Sequence, residues 1–519
     1  SFNVQQGVYL KRGFAVYGWG SLDPENLKEI FRPENGYLPD HPPLGRLWLG
    51  IAHDLAADSI PTDTLQRNGW SLLHARFGSV VAFSLTVLLV GWVSSYWYSP
   101  AVGLLSSFAL ILMPRVFGHA HLAALESVTN LFYTLAVLGV ASWWTKSEPP
   151  TRKAAIASGI LWGLAMLTKI QGVLIMVPVG VWGLCYWRQK SIIPGALFGV
   201  AGFATLLALW PWLWIDPAAH LKEYFSSSTE RSINKVYYLG ETYIDQPVEA
   251  TEDHPPELSE YPVLPWHYPL VMFAVAIPVG LHFFGLLGLR AQPTGRALEG
   301  RQQVVLACAF FPIALFCLPM VSVYDGIRLF LTACPLWAIS IGLGARVAWT
   351  WLSVRAGILG ITVWIVTFLA APLASMISLH PCQLSYYNLG VMSLRGADDL
   401  GFEPTYWGDS IHRDFQKRIV ATIPKGSRVG LVPVLHQHQI SSFQAQSRLF
   451  HDHQIELVPF DPQMTNPPRY VLTFYRRADH SAELTESLDR GEPIVEVRRQ
   501  GVKLASLIEF DSSVEGASR

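Results

Sequence analysis

The chain has 519 residues, 51% hydrophobic and 15% charged, with a formal net charge of −1 and a mean hydropathy of +0.29. Soluble domains carry about 25% charge, so this deficit excludes an ordinary soluble protein, and a near-neutral chain lacks the basic face that nucleic acid requires. Apolar runs of roughly 20 residues point instead to a polytopic membrane protein, and the 19 tryptophans suit aromatic belts at two membrane interfaces.

Residues 1–70 are mostly polar and aromatic, with one short amphipathic piece, Leu44 to Leu55. They read as a first outer loop carrying a helix on the membrane surface. About ten candidate spans follow, near 77–96, 101–114, 124–144, 154–168, 171–187, 192–214, 268–289, 302–321, 328–348 and 355–378. Some fall below the roughly 17 residues that a straight span needs, so several tilt, break or end inside the protein. Lysine and arginine in the short connections give the sidedness. Lys146, Arg152 and Lys153 share one loop, and Arg188 and Lys190 another; Arg290, Arg296 and Arg301 fall in a third, Arg346 and Arg355 in a fourth. Alternation puts all four on one side, which is then cytoplasmic. Residues 1–70, the loop 215–266 and everything after 379 face outward. Four of the five cysteines lie in apolar segments and only Cys382 lies outside them, so no outer disulfide framework is expected.

The tail, 379–519, changes character. "SRVGLVPV", "QIELVPF", "RYVLTFY" and "PIVEVRRQGVKLASLIEF" are short β-rich runs separated by polar stretches, with a weaker helical pattern over Asp409 to Thr422. A small extracytoplasmic α/β domain is expected. Within it "LSYYNLGV" and "TYWGDS" fit either a lid or acceptor contact, or a seat for the domain on the membrane.

Charged residues at the ends of apolar spans are costly and so become functional candidates. On the outer side stand Arg76, Arg115 with His119 and His121 in "PRVFGHAHLAALESVTN", Glu126, Lys169 in "MLTKIQG", and Arg328 after "VSVYDGIR". Any one of them could simply anchor at the headgroups. Together they put cations where the positive-inside bias disfavours them, which suggests an anionic ligand such as a lipid phosphate. A metal is not indicated: His119 and His121, two residues apart, do not share a helix face, and only Glu126 could join them. No Walker, dinucleotide-binding or nucleophile-elbow motif is present, which argues against direct use of ATP or NAD. The stretch "YLPDHPPLGRLWLG" holds Asp40 and His41 at a stiff proline corner before the amphipathic run. The same four letters recur at Asp253 to Pro256 without such a run, so only context gives the tetrapeptide meaning.

In that context the chain resembles the membrane-embedded GT-C glycosyltransferases. The likeness is to the branch of the protein O-mannosyltransferases and the lipid A aminoarabinose transferases, and it covers roughly residues 1–380. "DHPPLGRLWLG" is similar to the proline-pair motif of the first outer loop, "PRVFGHAHLAALESVTNLFYTLAVL" to the second loop with its acid, "LAMLTKIQG" to the Leu-Thr-Lys-Gly turn, and "YDGIRLFLTACPLWAISIGLG" to a late span. The resemblance implies a GT-C fold of about ten spans here and one more upstream, divided as 1–70, 71–378 and 379–519. It implies an inverting transfer of a sugar, mannose or a related one, from a polyprenyl-phosphate lipid to a hydroxyl of a protein, glycolipid or polysaccharide outside the cytoplasm. It needs no certain cofactor. Residue by residue, it makes Glu126 the second-loop acid and assigns His41, Lys169 and Arg328, with Arg76 and Arg115 more loosely, to the donor phosphate. His119, His121 and Tyr324 are placed in the acceptor or sugar pocket. The family's base lies in an Asp-Glu pair that this chain lacks in its first loop. It is expected upstream of Ser1, with Asp40 or Asp23 as a relocated alternative. Rival readings are a transporter or flippase of a lipid-linked sugar, against which stands the absence of a repeat, and an inactive membrane scaffold.

Overall fold

The computed structural model describes the chain except residues 1, 33–36, 60–61, 230–232, 248–255, 292–295, 320, 436–437 and 511–519. Of the second tetrapeptide copy, Asp253 to Pro256, the first three residues lie outside the described residues. The chain separates into two compact units, Ser1–Ile60 with Leu72–Ser232 and Pro265–Leu373, and Pro61–Ser71 with Ile233–Leu264 and Ala374–Arg519. This differs from the expected division at 70 and 378. The first loop belongs with the helices, while two short pieces from earlier in the chain join the tail.

The first unit is helical. It opens with α1 (Phe2–Tyr17) and α2 (Pro43–Ser59). Helix α2 runs past the amphipathic piece Leu44 to Leu55, and its proline stands at a helix start, where the missing N–H costs nothing. The two helices touch backbone to backbone. A Cβ on Gly7 would lie 2.0 Å from the Arg46 carbonyl oxygen, and one on Gly50 would lie 2.3 Å from that of Gly7. Only glycines at both positions allow this approach.

Three helical runs are long and apolar enough to cross a membrane: α3 (Leu72–Trp97), Ile170–Leu209 and Gly357–Leu379. Two bent pairs raise the number to five if each counts as one span. Pro100–Ile111 with Pro114–Ala120 bends by 74°, and Tyr268–Ala276 with Val279–Arg290 by 106°. Both breaks carry a proline, Pro114 and Pro278, which cannot continue the preceding hydrogen-bond ladder. Length and apolarity thus support fewer spans among the described residues than the ten expected. The physical reason is visible in α4 (Glu126–Trp143) and α5 (Ala333–Arg355). Most of their residues face protein, so they admit serine, threonine, asparagine and glycine and lose hydropathy.

The second unit is built on the β-rich runs seen in the tail. A hairpin, β1 (Lys235–Tyr238) and β2 (Glu241–Ile244), stands apart from a five-stranded sheet. The sheet's strands are β3 (Arg428–Val432), β4 (Glu456–Pro459), β5 (Tyr470–Phe474), β6 (Glu492–Arg499) and β7 (Val502–Glu509), in the order β4-β3-β5-β7-β6. Strand β3 is parallel to β4 and β5, and β7 is antiparallel to β5 and β6. The helix read over Asp409 to Thr422 occupies Arg413–Thr422, capped by His412, whose Nδ1 accepts the Phe415 N–H. Val471 and Ile508 on the sheet pack with Leu484 and Leu488 of an amphipathic helix. The early pieces are tied in by polar contacts: Asn68 donates to the Ala445 carbonyl at 2.7 Å, Asp63 pairs with Arg448 at 3.0 Å, and the Gly240 N–H meets the Gly401 carbonyl. Glu403 is buried here and accepts the backbone N–H groups of Arg477 and Ala478 at 2.7 and 3.0 Å.

Candidate functional site

The proline corner is held from inside by Arg46, on the first turn of α2. Its side chain is fully buried, and it donates to Asp40 Oδ1 at 2.6 Å, to the carbonyls of Leu38 and His41, and to Asn3 Oδ1 of α1. Its guanidinium also lies over the rings of Phe2 and Tyr37. A buried arginine must have its donors satisfied, and here that need dictates the path of residues 38–41. Asp40 is therefore engaged on one oxygen. His41 is buried beside it, with Nε2 4.0 Å from Asp40 Oδ2.

The start of α2 is clamped against the turn that carries Lys169. The Leu44 N–H donates to the Leu167 carbonyl at 3.0 Å. One residue on, a Cβ at Gly45 would come within 3.0 Å of Leu125 Cδ2 and 3.3 Å of the Thr168 carbonyl oxygen. Three motifs far apart in sequence meet here: the proline corner, the residue before Glu126, and the lysine turn.

Glu126 opens α4, where a negative charge suits the helix N-terminus. It is 4% exposed. Its Oε1 accepts from Lys169 Nζ at 3.1 Å and from Arg328 Nε at 2.9 Å. Arg328 continues through Nη1 to Asp325 Oδ2 at 3.0 Å, and its guanidinium lies over the Tyr324 ring. Two buried carboxylates thus neutralise two cations, the condition for keeping such charges out of water. Asp325 holds a left-handed backbone, φ 56°, next to Gly326, an arrangement that aspartate tolerates better than most residues. It brings its carboxylate back onto Arg328. Glu126, Lys169 and Arg328 line one small, partly open cavity. Thr129, Asn130, Gln171 and Thr332 complete its polar wall.

Of the residues read from sequence, the structure therefore brings together Glu126, Lys169, Arg328 and Tyr324. His119 and Arg115 are buried on Pro114–Ala120, and His119 lies within electrostatic reach of Glu126, Arg328 and Arg115. His121 is exposed, its Nδ1 2.7 Å from the Phe117 carbonyl, and Arg76 is exposed on α3; neither lines the cavity. Among the described residues no three His, Cys, Asp or Glu side chains gather as a metal site. Sequence reasoning missed Arg46, Asp325 and the neutral polar wall. Thr129 and Asn130 were legible as polar residues inside an apolar span, whereas Arg46 looked like a charge on the polar face of an amphipathic helix.

Residues 32–215 match the model of the dolichyl-phosphate-mannose-protein mannosyltransferase family. Over these residues the chain is similar to that family. The family match contains the proline corner, Glu126 and Lys169; Arg328 lies beyond it. No curated protein matches the chain. Solved structures similar to it include ArnT from Cupriavidus metallidurans in the apo state, at 12% identity over 98% of this chain and 93% of that one, with a TM-score of 0.47. The same protein bound to undecaprenyl phosphate gives 12%, 98%, 94% and 0.46. An oligosaccharyltransferase from Archaeoglobus fulgidus gives 12%, 83%, 52% and 0.38.

Proposed function

We propose that the protein is an inverting glycosyltransferase that moves a sugar, mannose or a related hexose or pentose, from a polyprenyl-phosphate lipid to an acceptor hydroxyl outside the cytoplasm. The acceptor belongs to a protein, a glycolipid or a polysaccharide of the cell envelope. The observation that carries this reading is the buried Glu126 carboxylate shared by Lys169 and Arg328 at the wall of a polar cavity. The family matched by residues 32–215 is named for a donor of this class.

In the reaction the acceptor oxygen attacks the anomeric carbon, and its proton passes to a carboxylate. The bond from that carbon to the phosphate oxygen breaks, and the phosphate leaves with the electron pair. A leaving phosphate needs cations that are already in place. Lys169 spends one of its three N–H donors on Glu126, and Arg328 spends Nε there and Nη1 on Asp325. Ammonium and guanidinium groups of this kind match phosphate oxygens in charge and in hydrogen-bond geometry. His41, with Arg115 and Arg76 more loosely, is the further basic group assigned to this end, and His119 is assigned to the acceptor or sugar pocket. Glu126 keeps the two cations together through Oε1, and its other oxygen, which has no hydrogen-bond partner, orients the acceptor hydroxyl. Asp40 is a poorer base because Arg46 already stabilises its charge.

The test is release of polyprenyl phosphate from polyprenyl-phosphate mannose by the protein in membranes. Glu126→Gln and His41→Ala are each expected to slow release at least about tenfold, on the order of 1.4 kcal/mol of barrier. Wild-type rates in both variants would sink the assignment.

A further inference from the structure

The transfer just described makes no use of Thr129, Asn130, Gln171 and Thr332. All four are between 3 and 6% exposed. Each keeps a side-chain oxygen without a hydrogen-bond partner: Thr129 Oγ1, Asn130 Oδ1, Gln171 Oε1 and Thr332 Oγ1. Buried polar groups in folded proteins are nearly always paired, so four uncommitted oxygens around one cavity form a pattern.

Their neighbours show that pairing was within reach. In other apolar helices Thr86, Thr205, Thr362 and Thr367 each return the hydroxyl to the carbonyl four residues back, at 2.7–2.9 Å. Thr129 does not. Thr134, further along the same helix, also leaves its hydroxyl unpaired but does not line the cavity. Thr332 stands at the start of α5 with a helical backbone, φ −60° and ψ −19°, and its hydroxyl makes no cap bond.

The chemistry of the wall selects its ligand. Two hydroxyls can donate or accept, and two amide oxygens accept. Glu126 Oε2 adds a further acceptor. A cationic group would be repelled by Lys169 and Arg328, whose charges serve the phosphate, and the hydroxyls and amides beside them both donate and accept. A neutral group rich in O–H bonds suits both sets. We propose that Thr129, Asn130, Gln171 and Thr332 form a hydroxyl-recognition subsite that reads a neutral, polyhydroxylated sugar during transfer. This rests on the transferase reading and names the substrate class of its site.

The test gives the protein in nanodiscs polyprenyl-phosphate mannose, glucose or galactose, followed by single-deoxy analogues of whichever sugar is turned over. Wild-type protein is expected to lose about 10- to 100-fold in kcat/KM for at least one deoxy donor. Thr129→Val and Thr332→Val are expected to slow the parent sugar and shrink that discrimination to a few-fold, while Thr129→Ser, which keeps the hydroxyl, retains it. Discrimination unchanged in both valine variants would overturn the subsite and leave the transferase reading standing, as would an equal loss on every donor. Preference for an amino sugar over the neutral ones would also overturn it. Turnover of no sugar donor would sink both readings together.

Discussion

Arg46 shows how one buried side chain shapes a motif. The letters Asp-His-Pro-Pro suggest rigidity, but the corner is held by an arginine three residues beyond the second proline. Removing one partner of a buried ion pair costs about 3–5 kcal/mol. Because Asp40 is 36% exposed and partly screened, Arg46→Met is expected to cost about 3 kcal/mol. Thermal unfolding in detergent measures this, and an unchanged midpoint would show that the prolines suffice. Glu403 gives a second test at this scale. Burial pushes its carboxyl up to about 8, against the pull of the Ala478 N–H and the Arg476 charge. The folded state therefore holds a proton that the unfolded chain releases near its ordinary value of about 4.3. Stability of the second unit is expected to fall as pH rises through the window from about 4.5 to 8. Hydrogen exchange in β5 and β7, corrected for intrinsic rates, reports it. Glu403→Gln should flatten the dependence, and an equally steep profile in that variant would assign it to other groups.

At the scale of elements, the site depends on how closely α2 approaches the start of α4 and the lysine turn. Gly45 sets that distance. Its added methyl would press on a flexible leucine terminus at 3.0 Å and on a carbonyl oxygen at 3.3 Å. Gly45→Ala is expected to cost about 1–3 kcal/mol as overpacking and to lower sugar transfer more than it lowers folding yield. Equal transfer per folded molecule would show that this spacing is not critical. The amphipathic run, the span start at Glu126 and the lysine turn were all legible, because periodicity and charge placement are local signals. The mutual approach was not, since nothing local in "PPLGRL" says which backbone Gly45 meets. Asp325 was hidden for a similar reason. "YDGIR" reads as a turn, and only the fold shows that its left-handed aspartate returns to Arg328.

At the scale of the whole molecule, charge bias among the connections carries the topology proposal. Ser147→Cys and Lys425→Cys, each in a background lacking the five native cysteines, separate the two sides with a membrane-impermeant maleimide on intact cells. Labelling at 425 and not at 147 is expected; the reverse pattern would invert the proposed sidedness. Composition, apolar runs and one-sided cations, which are additive along the chain, were enough to read a helical membrane protein with a β-rich tail. The tail strands fell where the alternating runs lay, and so did the capped helix before β3. Span number was harder, because helices enclosed by protein shed the hydropathy that identifies lipid-facing ones. Sequence by itself determined the class of the protein and which charges stood at the ends of apolar segments. Only the tertiary structure decided that one carboxylate, Glu126, takes both Lys169 and Arg328, and that Thr129, Asn130, Gln171 and Thr332 surround the same space. Pairing of buried charges is a contest among all groups within a few ångströms, and chain order does not record who those neighbours are.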